Sequence, residues 1–196
     1  MGQGKTTELW LIRHGETEWT ISGAHTGVSE IPLTERGRER AAGIRDYLQH
    51  RQFALVLVSP RQRAQETCRI AGYGDRAVVD PDLAEWNYGD FEGKTSGEIR
   101  KTFPDWTIWK GPVPNGETID QVAARARRAI ARSLDAGGPV ALFAHGHILR
   151  VLAPCWLEIS PDAGRLFALG TGSVSILGFE RENRVISMWN RSFEVD

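Results

Sequence analysis

Short apolar runs alternate with longer amphipathic stretches along this chain, and the alternation predicts most of its elements. Residues 8–12 are a strand-length apolar run that stops at Arg13-His14-Gly15. Residues 15–33 follow neither a helical nor a strand period and carry Gly23, Gly27 and Pro32, which predicts a long ordered loop. Thr34 stands as N-cap to a helix reaching about Arg51, with Ala41, Ile44 and Leu48 on one face. Residues 53–58 read as a buried strand, and Ser59-Pro60 then opens a helix to about Ala71, since proline suits a first helical turn. A short strand is expected at 77–79, a helix at 95–103, and an irregular cap over 105–116, where Trp106, Trp109, Pro112 and Pro114 break any period. Thr118 caps a helix to about Leu134, with Arg125, Arg127, Arg128 and Arg132 expected on its wet face. Gly137-Gly138 then leads into an apolar strand at 139–144, a helix over 147–157, and two last strands at 174–179 and 185–189.

Strands alternating with helices, joined by crossovers long enough for parallel pairing, predict a three-layer α/β/α sandwich around a mostly parallel central sheet. No repeat, low-complexity tract or linker interrupts the pattern. One domain over residues 1–196 is therefore expected, with 1–7 as a flexible leader. Gly4-Lys5-Thr6 matches only the end of a phosphate-cradling loop, without the earlier glycine or a preceding strand, and is read as coincidence.

Composition narrows the function classes. A formal net charge of -1 with 41% hydrophobic residues describes an ordinary globule and argues against a nucleic-acid partner, which calls for a basic excess. No stretch is apolar enough to span a bilayer and the N-terminus lacks the apolar core of a secretion signal, so no membrane partner and a cytoplasmic location are expected. Cys68 and Cys155 are too few for a disulfide framework, which fits a reducing compartment. No apolar stripe stands apart from the core pattern to announce an oligomer.

Two of the five histidines, His14 and His145, each end an apolar strand and are each followed at once by glycine. In open α/β sheets ligands bind beyond the carboxyl ends of strands, where glycine lets the backbone approach closely. If the two strands are neighbours, the imidazoles share one pocket with Arg13, and two imidazoles beside a guanidinium make an anion site suited to phosphate. The other reading of His145-Gly146-His147 is a metal pair completed by His25; neighbouring arginines would repel a cation there, and no metal or other cofactor is expected.

Four motifs stand in order. They are Arg13-His14-Gly15-Glu16-Thr17, Ser59 to Thr67 with Arg63 inside it, Glu85 with Tyr88-Gly89 and Glu92-Gly93, and Ala144-His145-Gly146. Together they resemble the histidine phosphatase superfamily, also called phosphoglycerate mutase-like, over essentially the whole chain, and in finer detail its sedoheptulose bisphosphatase-like branch. The resemblance implies that Arg13 and Arg63 grip phosphate, that His14 is the nucleophile, and that His145 offsets charge. It makes Glu85 the acid and then the base, and Thr20, Thr26, Gly27, Tyr88 and Gly146 the substrate side of the pocket. Thr20 replaces the more usual asparagine, and Glu30 the more usual aspartate, read as a surface substitution. The implied activity is metal-independent hydrolysis of a small phosphorylated metabolite, such as a sugar phosphate. Phosphoglycerate mutase-type transfer is the alternative enzyme, and a phospho-ligand binding protein without catalysis the alternative outside enzymology. A second cationic patch for a bisphosphate is expected from Lys94, Lys110 or His25.

Overall fold

Register is what turns the predicted runs into a site. The structure, a computed structural model, describes residues 7–49 and 51–193. Its strands are β1 (Leu9–Arg13), β2 (Leu55–Val58), β3 (Ala77–Val79), β4 (Val140–Ala144), β5 (Val174–Glu180) and β6 (Asn183–Arg191), in one sheet of order β3-β2-β4-β1-β5-β6. β1, β4, β2 and β3 run parallel, and β5 joins β1 antiparallel with β6 beyond it.

The helices are α1 (Glu18–Ser22), α2 (Glu35–Leu48), α3 (Gln62–Ile70), α4 (Ser96–Arg100), α5 (Ile119–Asp135) and α6 (Gly146–Trp156). Alternate strand residues face opposite ways, so Leu9, Leu11, Leu142 and Ala144 pack under Val122, Ala126 and Leu152 of α5 and α6. Trp10, Ile12, Ala141 and Phe143 pack with Ile44, Leu48, Ala64 and Cys68 of α2 and α3 on the other side. Because both faces are covered, β1 and β4 are apolar without alternation. The α/β architecture stands as predicted. No helix among the described residues is long and apolar enough to cross a membrane.

Three expectations change. The loop at 15–33 contains α1, held by a capping box in which the Thr17 and Thr20 side chains each receive the other's backbone N–H. The helix expected at 95–103 is only α4. Most of the leader expected over 1–7 lies outside the described residues; Thr7, its last member, is buried.

The β1–β4 register pairs Arg13 with Ala144, which leaves His14 and His145 side by side just past the carboxyl edge. The ladder continues through them: His14 N–H donates to the Ala144 carbonyl at 3.0 Å, and Gly172 N–H donates to the His14 carbonyl at 2.9 Å. A Cβ on Gly15 would lie 2.3 Å from the Gly37 carbonyl oxygen, so glycine lets the turn after His14 press against the first turn of α2.

Candidate active site

His14 and His145 meet with ring centroids 5.1 Å apart, tilted by 61°. His14 Nδ1 lies 2.7 Å from the Gly15 carbonyl oxygen, which can only accept, so Nδ1 carries the proton and Nε2 keeps a free lone pair. Burial first, then the charges of Arg63 and Arg13, push the His14 imidazole well below its ordinary range, outweighing the bond to Gly15. The ring is neutral, with the lone pair on Nε2 left free. Burial, Arg63 and His14 hold His145 down in the same way.

Arg63 is wholly buried on α3. Its Nη1 donates to the Ser29 carbonyl at 2.9 Å, and its Nη2 to the Thr26 and Gly27 carbonyls at 2.9 and 3.2 Å. Thr67, one turn further, accepts the Gly15 N–H at 3.1 Å and donates to the Arg63 carbonyl, tying α3 to the turn after His14. Arg13 donates through Nη1 to the Leu169 carbonyl. Burial lowers both guanidiniums, and the Glu85 carboxylate opposes that for each.

Among the described residues, the buried side-chain nitrogens and oxygens without a partner are Arg13 Nε, Arg61 Nε, Arg63 Nε and His145 Nδ1. Buried polar groups are nearly always paired. Here the exceptions are three guanidinium N–H donors and one imidazole nitrogen, and all three arginines lie close enough to depress His145. Three unpaired guanidinium N–H groups beside two neutral imidazoles, one with an unpaired nitrogen of its own, suit an oxyanion.

Glu85 closes the opposite side. Its Oε2 accepts from His147 N–H at 2.9 Å and its Oε1 from Ile148 and Trp86 N–H, both at 2.9 Å. His147 and Ile148 are the second and third residues of α6, whose N-cap is His145. The N-cap side chain ordinarily satisfies those amides. Glu85 does so instead, which releases the His145 ring from capping and fixes the carboxylate at the positive end of the helix.

The carboxylate's loop is clamped from α5. Arg125 Nη1 donates to the Asp82 and Ala84 carbonyls at 2.7 and 2.9 Å, while Nε and Nη2 grip Glu117 at 2.8 and 2.9 Å. Arg128 and Arg132 pair with Asp80 and Asp82. The helix face expected to be merely wet is therefore three-quarters an arginine brace, because acidic residues 46–52 positions earlier fold back onto it. Glu30 also does more than sit on the surface: it accepts the Gln62 N–H at 2.9 Å at the start of α3 and pairs with Arg61.

A cavity of about 170 Å³ opens onto Arg13, His14, Glu85 and Gly146. Thr20, Thr26 and Tyr88, three of the expected substrate residues, also line it. The Thr20 hydroxyl donates to the Thr17 carbonyl at 2.7 Å, so its proton is committed to the capping box. Gly27 stands behind the lining: its N–H donates to Glu92 at 2.9 Å and its carbonyl serves Arg63. Gly146 matters by size, since a Cβ there would come 3.2 Å from Arg13 Cζ.

The outer wall holds His25, His147 and Arg150. Tyr88 Oη lies 2.6 Å from His147 Nδ1. Burial lowers His25 to about 4, against the pull of Glu92, and holds His147 well below its ordinary range, helped by Arg150. Lys94 and Lys110 do not reach this cavity; Arg150 does. The sequence reading passed over Arg150, although it follows His147 by three residues on one helix and so shares its face. His25 and His147 rings stand 6.1 Å apart, and His145 Nε2 is taken by Ser59 at 2.7 Å. Among the described residues no three His, Cys, Asp or Glu side chains form a group able to hold a metal.

The fold is an α/β sheet that brings two imidazoles and two buried guanidiniums together beyond its strand ends. The chain belongs to the histidine phosphatase superfamily (branch 1), whose family pattern matches residues 9–192. It is 38% identical over 184 residues to an acid phosphatase of Mycobacterium tuberculosis, covering 92% of this chain and 90% of that one. It is 36% identical over 186 residues to the sedoheptulose 1,7-bisphosphatase of Saccharomyces cerevisiae, covering 79% and 69% respectively. The solved structure of open reading frame Rv3214 from Mycobacterium tuberculosis superposes with a TM-score of 0.91 at 36% identity, over 96% of this chain and 99% of that one. The protein is a phosphatase of this superfamily.

Proposed function

We propose that the enzyme hydrolyses small phosphomonoesters of the sugar-phosphate class, without a metal, through a phosphohistidine on His14. The observation that carries this reading is the set of unpaired buried donors around two neutral imidazoles. Phosphoryl transfer passes through a loose, highly charged transition state, so positioned donors do most of the work.

In the first half-reaction the His14 Nε2 lone pair bonds to phosphorus as the bond to the ester oxygen breaks. Glu85, acting as the general acid, gives a proton to the departing alkoxide. Arg13 and Arg63 hold the non-bridging oxygens. In the second half-reaction the Glu85 carboxylate takes a proton from water, the oxygen attacks phosphorus, and the N–P bond breaks to leave inorganic phosphate and the starting imidazole.

A sugar-sized substrate fits the small cavity and the polar lining of Thr20, Thr26, Tyr88 and His147. Arg150, its guanidinium 4.8 Å over the Trp109 ring, supplies a cation on the cavity wall for a second anionic group. The test is turnover in excess chelator with a panel of phosphorylated metabolites, phosphate release and isomerisation being scored on the same substrate. Phosphate release that survives chelation and disappears in His14→Ala is expected; activity retained by His14→Ala, or isomerisation outrunning hydrolysis, would overturn the reading.

A further inference from the structure

The geometry points to Ser59 as the positioning residue that fixes the proton of His145 on Nδ1, so that this ring presents one N–H donor to the phosphoryl group. The inference rests on the phosphohistidine reading and adds which atom of the second histidine acts and what sets it.

Ser59 follows β2, and β2 neighbours β4, so its side chain reaches His145 from the adjacent strand. Ser59 N–H donates to the Phe143 carbonyl at 2.9 Å, and the residue is wholly buried. Its Oγ lies 2.7 Å from His145 Nε2 and accepts the Arg61 N–H at 3.2 Å. A hydroxyl has one proton and two lone pairs, while a neutral imidazole has one donor and one acceptor.

Two arrangements can be counted. With the proton on Nε2, the ring donates to Oγ, and the serine proton and the Nδ1 lone pair are both left buried without partners. With the proton on Nδ1, serine donates to Nε2, and the only group left over is the Nδ1–H. Each buried polar group left unsatisfied keeps its full desolvation cost, which favours the second arrangement. Nor does α6 compete for that nitrogen, because Glu85 already takes the His147 and Ile148 amides. The remaining N–H belongs with the unpaired guanidinium donors. A lone pair in that place would face an incoming phosphoryl oxygen and repel it. Burial and the nearby arginines keep the ring neutral, so one tautomer must be chosen.

The experiment reads the tautomer directly, in the resting protein and without turnover. Multiple-bond ¹H–¹⁵N NMR of histidine-labelled protein, with the His145 signals assigned by their loss in His145→Asn, should show a protonated Nδ1 and a bare Nε2. In Ser59→Ala the proton should move to Nε2 or divide between the two sites, with kcat falling about 10- to 100-fold, the loss typical when the partner that fixes the tautomer of a metal-binding histidine is removed. The asparagine amide nitrogen falls where Nδ1 was and the glutamine nitrogen where Nε2 was, so His145→Asn should exceed His145→Gln in kcat by about tenfold. A wild-type proton on Nε2, a tautomer indifferent to Ser59→Ala, or a glutamine variant as active as the asparagine one would overturn the assignment. None of these depends on His14→Ala, whose result judges the phosphohistidine on its own.

Discussion

Replacing Arg125 with methionine removes a side chain that touches no substrate yet holds the loop that carries Glu85. The guanidinium bonds three successive parts of that loop, the Asp82, Ala84 and Glu85 carbonyls, and pairs in two places with Glu117. Glu117 passes the restraint on by accepting the Asn87 N–H at 2.9 Å. Breaking a buried ion pair by deleting one partner costs about 3–5 kcal/mol. The Glu117 side chain is 21% exposed and water can reach it, so the low end, about 3 kcal/mol, is the better figure. In a chain of this length that corresponds to a melting temperature lower by about 6–12 °C. In the proposed mechanism Glu85 moves the proton and does not grip the phosphate, so kcat should fall by about tenfold or more while KM changes little. Thermal unfolding by circular dichroism and steady-state kinetics on one phosphate ester measure both, with Arg127→Met, at an exposed position of the same helix, as the control expected within about 0.5 kcal/mol of wild type. An Arg125→Met protein that melts and turns over like the control would refute the clamp.

Other outcomes follow from the same geometry. His14, His145 and His147 are all held well below their ordinary value and His25 is lowered to about 4, mainly by burial. The unfolded chain therefore binds more protons below about pH 6.5, and stability, complete above that value, should fall by about 1.4 kcal/mol per pH unit for each such ring as pH drops towards the folded values. Urea unfolding between pH 7.5 and 5.5 checks this, and a flat profile would show the rings charged or solvated. Gly146→Ala places a methyl 3.2 Å from Arg13 Cζ at the first position of α6. It should keep or raise the melting temperature, since alanine suits a helix better by up to about 1 kcal/mol, yet lower kcat/KM about tenfold; wild-type kinetics would show that Arg13 tolerates the shift. Arg150→Met should raise KM about tenfold for a bisphosphate and change it little for the matching monophosphate, and equal effects on both would remove Arg150 from substrate binding.

Much of this was readable from the chain because strand ends and chemistry coincide. Arg13-His14-Gly15 and His145-Gly146 each terminate a run apolar at every position, and such runs pair inside parallel sheets, so the meeting of the two imidazoles followed from pattern. What stayed hidden depends on contacts distant in sequence. The α5 arginines look solvated until Asp80, Asp82 and the Glu85 loop fold onto them. Ser59 reads as the end of a strand, and its bond to His145 spans 86 residues. Glu85 could be picked out as a carboxylate, but its service as substitute cap for α6 needs the helix start beside it. α1 escaped notice because its capping box uses Thr20 in the place normally held by glutamate or glutamine. Arg150 was within reach by helix spacing alone.

In the proposed mechanism His14 Nε2 carries the phosphoryl group between the two half-reactions. Rapid quenching of turnover with a substrate labelled in its phosphate, followed by peptide mapping, tests it most directly. The label should survive base, be lost in acid, and map to His14. Label on a different side chain, or burst-phase turnover with none on the protein, would contradict it.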